Sequence, residues 1–108
     1  MDNIIITTGI DIPGKKIKKI LGIAKGNTVR ARNVGRDIGA GLRNLVGGEV
    51  KTYTDMTTSA RDEAYNRMVN EAIDLGADAI INMRFTTSMI MQGASEMLAY
   101  GTAVKISD

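Results

Sequence analysis

Met56, Ala60, Ala64, Met68 and Ala72 stand four positions apart along the chain. Spacings of three and four put side chains on one side of an α-helix, and Tyr65, Val69 and Ile73 widen the row into a broad apolar stripe. Asp62, Glu63, Arg67, Asn70, Glu71 and Asp74 fall on the opposite side. Gly76 follows the last periodic residue, where helices commonly end on a left-handed residue. The spacing predicts a helix from about Thr54 to Leu75. Its small apolar residues suit close packing on a sheet.

The chain beyond this helix predicts the sheet. From Ala79 the odd positions Ala79, Ile81, Met83, Phe85, Met89 and Met91 are mainly apolar, and Asn82, Arg84, Thr86, Ser88 and Gln92 alternate with them. That period of two is the signature of a strand. Gln92-Gly93-Ala94-Ser95 reads as a hairpin turn, with Met97 to Ile106 returning antiparallel. Asn3 to Thr8 is a β-branched run closed by Gly9 and the turn Asp11-Ile12-Pro13-Gly14, so it reads as an edge or first strand. Asp37 to Leu45 reads as a short helix, with Asp37 at its start, Gly47-Gly48 at its end and Ile38, Leu42, Leu45 and Val46 on its buried side.

Lys15 to Gly26 supports two readings. Ile17, Ile20, Leu21 and Ala24 recur at helical spacings between Lys15, Lys16, Lys18, Lys19 and Lys25, as in a cationic amphipathic helix. Alternatively this is a strand with solvated lysines, broken near Gly22 and running on through Thr28 to Arg32. Gly22 and Gly26 would each cost a helix about 1 kcal/mol relative to alanine, and no N-cap precedes Lys15, which favours the strand. The expected architecture is α+β: a two-layer domain with one long and one short helix on a mainly antiparallel sheet. No linker or repeat divides the 108 residues, so residues 1–108 form a single domain.

Composition excludes several chemistries. Cysteine and histidine are both absent, which removes disulfides, thiolate metal sites, thiol nucleophiles and the commonest general base. No Ser, Thr, Lys or Tyr stands in a recognisable nucleophile motif, so no enzyme activity is expected, and no cofactor is implied. The opening residues lack the features of a signal peptide, and no apolar run is long enough to cross a bilayer; the expected location is the cytoplasm.

Charge is unevenly distributed. Up to Lys51 there are ten Lys/Arg against four Asp/Glu, and from Thr52 onward four against eight. A basic surface of this kind attracts nucleic acid or anionic lipid. Yet the basic residues are not interleaved with aromatics and match no binding module, which disfavours nucleic acid. The positive half of one copy can instead meet the negative half of the next, head to tail.

The run Asn33, Arg36-Asp37, Arg43-Asn44-Leu45-Val46-Gly47-Gly48 and Tyr53 resembles the YbjQ family of bacterial proteins. Ala60-Arg61 with Ala64, Gly76-Ala77-Asp78-Ala79, the opening Ile5-Ile6-Thr7-Thr8 with Gly14-Lys15, and Gly101-Thr102-Ala103-Val104 extend the likeness over nearly the whole chain. Glu49 and Asp78 depart from the pattern. The resemblance implies a YbjQ/dodecin-like α+β subunit, a strand over Lys15 to Gly26, pentameric rings, and the description heavy-metal-binding.

Three constellations of residues are candidates for function. Arg36, Asp37 and Arg43 beside Gly47-Gly48, with Asn33 and Tyr53 from the same run, are candidates for a ligand pocket or a subunit interface, since arginines and helix-start amides bind anions. A bland alternative is that Asp37 caps its helix and the arginines pair with it or with Glu49. Asp62 and Glu63, with Asp55 nearby, are weak candidates for a hard cation, although carboxylates on an outer helix face are commonly just solvated. Met89 and Met91, with Met83 and Met97, are the available soft ligands; methionines at such positions are more often core or interface filler. The leading expectation is a non-enzymatic homo-oligomeric binding or scaffold protein, which leaves room for a small ligand or metal ion. The alternatives are a metal-binding module and a binder of nucleic acid or anionic surfaces through the basic half.

Overall fold

The computed structural model describes residues 4–31, 51–91 and 93–108, the side chains of residue 31 and residues 51–57 excepted. In chain order the elements are β1 (Ile5–Ile6), β2 (Lys16–Ala31), α1 (Lys51–Asp74), β3 (Ala79–Met91) and β4 (Ala94–Ser107). The ambiguous lysine-rich stretch is a strand. The short helix expected over Asp37 to Leu45 lies outside the described residues.

The sheet order is β1-β3-β4-β2. β2 pairs antiparallel with β4, and β4 with β3, whereas β1 runs parallel to β3. The sheet is therefore mixed, where the sequence suggests a mainly antiparallel one. The chain leaves β1 at one edge, turns through Asp11 to Gly14 with Gly14 at φ +83°, and enters β2 at the other edge. That crossing puts β1 beside the strand that comes after the helix.

α1 covers the whole of the stretch its apolar spacing indicates and ends as expected. The Ala77 amide donates to the Ala72 carbonyl (3.0 Å) and the Gly76 amide to that of Ile73 (2.9 Å). Gly76 sits at φ +83°. These are the paired bonds of a Schellman ending, which satisfy carbonyls that the helix leaves open. The alanine stripe lies on β2 and β4, and Ala64, Met68 and Ala72 join Ala24, Ile80, Met83, Ala99 and Ala103 in one buried cluster. Burying a side chain such as Met68 or Ile80 contributes about 1.5–3 kcal/mol.

The contact between helix and sheet is closest at Gly26. A methyl group there would stand 2.6 Å from Arg67 Cβ and would overlap the Met68 amide nitrogen and the Ala64 carbonyl oxygen. Glycine at this position is what lets the helix descend onto β2.

Strict alternation in β3 fails at Asn82. This residue has φ +53° and lies in the register shift between Ile81 and Arg84. Asparagine is among the few residues that visit this conformation. The bulge changes the phase by one, so that even-numbered Ile80 (opposite Ala103) and odd-numbered Phe85 (opposite Ala99) share the helix side. Ile80 is thus buried and Ile81 half-buried, the reverse of the order expected from odd positions. Past the bulge Phe85, Met89, Ile90 and Met91 are exposed.

Candidate functional site

At the hairpin end of the sheet, α1 and β2 are joined by a charged network. Thr28 and Arg30 are two residues apart, so both side chains leave the same face of β2. Glu63 and Arg67 lie one turn apart on α1. The Thr28 hydroxyl, almost fully buried, donates to Glu63 Oε1 (2.8 Å). Arg30 donates to Thr28 Oγ1 (2.8 Å) and to Glu63 Oε1 (3.0 Å), and reaches Ser59 Oγ at 3.5 Å. Arg67 closes the network on Glu63 Oε2 at 2.8 Å. The Thr28 hydroxyl first, then Arg30 and the charge of Arg67, hold the Glu63 carboxyl below the usual carboxylate range.

Beside this network is a cavity of about 80 Å³ lined by Thr28, Arg30, Ala60, Thr87, Glu96 and Met97, among others. Thr28, Arg30 and Glu96 in its lining already hold hydrogen bonds, and among the described residues no buried side-chain nitrogen or oxygen lacks a partner. Such a network fixes the helix on the strand and offers a narrow polar floor. A larger groove of about 510 Å³ lies at the other end, between the start of the chain and the end of α1, with Lys15, Ile73, Ala77, Asp78 and Ile106 in its wall. There Asp78 Oδ2 accepts from the Ile106 amide (3.1 Å), and Oδ1 lies 3.8 Å from Lys105 Nζ.

Among the residues singled out by sequence, Asn33, Arg36, Asp37, Arg43, Gly47 and Gly48 lie outside the described residues. Tyr53 belongs to the first turn of α1, with its side chain outside them too. Asp62 is exposed. Glu63 is a correction: expected on the solvent side of the helix, it faces β2 with both oxygens bound by arginines. Arg67 and Glu71 likewise reach the strand. The physical cause is the close approach at Gly26, which brings the flanks of the helix, and not only its apolar stripe, within hydrogen-bonding range. Asp62 and Glu63 are therefore not brought together, and among the described residues no three acidic side chains converge as metal ligands. Met89 and Met91 stand on the exposed end of β3, while Met83 is buried. Thr28 and Arg30 were not signalled by sequence, because nothing in a local pattern links them to a glutamate 35 and 33 residues away.

Among the described residues no helix is long and apolar enough to cross a membrane. Residues 4–107 match the family described as "Putative heavy-metal-binding" and designated YbjQ. A UPF0145 protein of Methanoculleus marisnigri is 61% identical over 102 residues, covering 94% of this chain and 95% of that one. The UPF0145 protein of Archaeoglobus fulgidus is 59% identical over 103 residues, covering 95% of each. A crystal structure from Pediococcus pentosaceus, described as a protein of unknown function in the DUF74 family, superposes with a TM-score of 0.62 at 21% identity. It covers 96% of this chain and 98% of that one, and the likeness extends to fold alone.

Proposed function

The chain belongs to the YbjQ family, and from that premise we propose that it is a non-enzymatic, cytoplasmic homo-oligomer, a ring of five subunits that binds a ligand or serves as a scaffold. The observation that carries this reading is the apolar surface left bare on a single chain. Ile20 and Ile23 on β2 are 67% and 65% exposed, and Met89 and Met91 on the hairpin are 76% and 65% exposed. Large apolar side chains grouped outside a core, as Met89, Ile90 and Met91 are at the end of β3, mark a place where another molecule sits. The opposed charges of the two halves of the chain suit a head-to-tail contact, and heterologous contacts that close generate rings. On this reading the ligand candidates are Arg36, Asp37, Arg43 and Gly47-Gly48, from the run that carries the family likeness.

Native mass spectrometry of the purified protein, with metal content determined on the same sample, tests the proposal. A pentamer without stoichiometric metal is the expected result, and a monomer at micromolar concentration would overturn it. A second reading draws on the exposure of Met89 and Met91, whose thioethers are accessible to a soft ion such as copper(I). It predicts a thermal midpoint raised by copper(I) and not by calcium or magnesium, since a ligand that binds only the folded state raises its stability. A melt unmoved by copper(I) removes it.

A further inference from the structure

Among the described residues β2 forms one edge of the sheet, and no strand pairs with its outer side. An open edge is a row of amides and carbonyls ready to pair with another chain. Between Gly22 and Ala31 the pairing with β4 runs without a register shift. Alternate residues of an antiparallel strand turn both backbone groups away from the partner. Two of those outward groups are already taken. The Lys25 amide donates to Glu71 Oε1 at 2.8 Å, and Arg67 Nη1 donates to the Asn27 carbonyl at 2.6 Å. Both side chains come from α1 and cross over the edge of the strand. They can do so because Gly26, between the two capped residues, lets the helix come down to backbone contact.

We propose that Arg67 and Glu71 are a side-chain cap on the edge of β2 that stops a second copy of this chain from adding to the sheet as a further strand. The remainder of the edge fits the same role. Lysines at 16, 18 and 19 and the register shifts between Ile17 and Lys19 and between Ile20 and Gly22 interrupt its first half. The cap covers the regular, β-branched second half, where Ile23 and Val29 have the same outward phase as Lys25 and Asn27. This inference is independent of the ring proposal, because it concerns what variants do relative to the wild-type mass, whatever that mass is.

Amide hydrogen exchange on the wild-type protein is the first test. The Lys25 amide should be protected while those of Ile23 and Val29 exchange freely, and Glu71→Ala should lower the Lys25 protection about tenfold, as expected for a hydrogen bond to a charged group. Equal exchange at all three amides, or protection indifferent to Glu71→Ala, overturns the cap. The second test is the R67A/E71Q double variant by light scattering. A native mass about twofold or more above wild type is expected, restored to the wild-type value by adding the edge lysine Val29→Lys, at a residue the ring proposal does not use. An unchanged mass, or a gain that Val29→Lys does not reverse, overturns the proposal. Should the double variant lose its fold, Glu71→Ala alone takes its place: the same gain in mass is expected, and an unchanged mass overturns the proposal.

Discussion

Gly26 is the residue on which the helix-to-strand contact depends. Two different needs meet there: the backbone of α1 must pass close, and the flanking arginine and glutamates must reach β2. Gly26→Ala places a methyl group against helix backbone that cannot rotate away. Overpacking of a tight contact costs about 1–3 kcal/mol, and the loss here is expected at or above the upper end because the clash is with main chain. Urea denaturation measures it, and a stability within 0.5 kcal/mol of wild type, the range of about ±0.5 typical of surface changes, would show that the helix can lift without penalty. Glu63 makes a separate, pH-dependent contribution. Its carboxyl is held below the ordinary range by Thr28, Arg30 and Arg67. A carboxylate depressed in the folded state contributes stability that is present above the unfolded pKa and is lost as pH falls through the folded value. Glu63→Gln should therefore be less stable than wild type at neutral pH, and the difference should shrink in acid. Thermal midpoints of the pair across the acid range test this; a constant gap would mean that the loss is one of shape and not of charge.

At the scale of elements, α1 was legible because its stripe and its closing glycine report the same local geometry. The strands were legible as strands except in the lysine-rich stretch of β2, where Gly22 and Gly26 lean towards a strand but the residues alone leave a helix open. The phase of β3 was not. Alternation assumes an unbroken pleat, and the bulge at Asn82 depends on the Asn82 amide reaching the Gly9 carbonyl (2.7 Å), a contact between segments 73 positions apart. The consequence is that methionines alike in sequence differ in role. Met83 is buried at 5% exposure and Met89 is exposed at 76%. Met83→Ala should cost about 2–5 kcal/mol, the usual range for emptying a core site. Met89→Ala should leave the stability of the isolated subunit within about 0.5 kcal/mol while weakening assembly, as read by native mass at falling concentration. If Met89→Ala destabilises as much as Met83→Ala, the hairpin end is covered in the working protein by something that packs as densely as a core.

For the whole molecule, the charge asymmetry and the bare apolar surface make different claims on the same assembly. Charges facing one another across exposed rims are screened by salt, whereas apolar burial is not. The pentamer expected from native mass should form more slowly at raised ionic strength yet persist once formed; dissociation by salt alone would make the charges, and not Ile20, Ile23 and the hairpin methionines, the main adhesive. The amino-acid sequence determined by itself that this is an α+β domain with a long alanine-faced helix, that no thiol or imidazole chemistry is open to it, and which family it resembles. The fold class and the excluded chemistry rest on composition and on periodicities that each segment carries alone, and the resemblance rests on residue runs such as Arg43 to Gly48. Only the tertiary structure decided that the sheet is mixed, that Glu63 is an arginine-bound brace, and that Arg67 and Glu71 occupy the edge of β2. Those outcomes depend on how near two distant segments come, and that distance is set at Gly26 by the absence of a side chain, which no periodicity records.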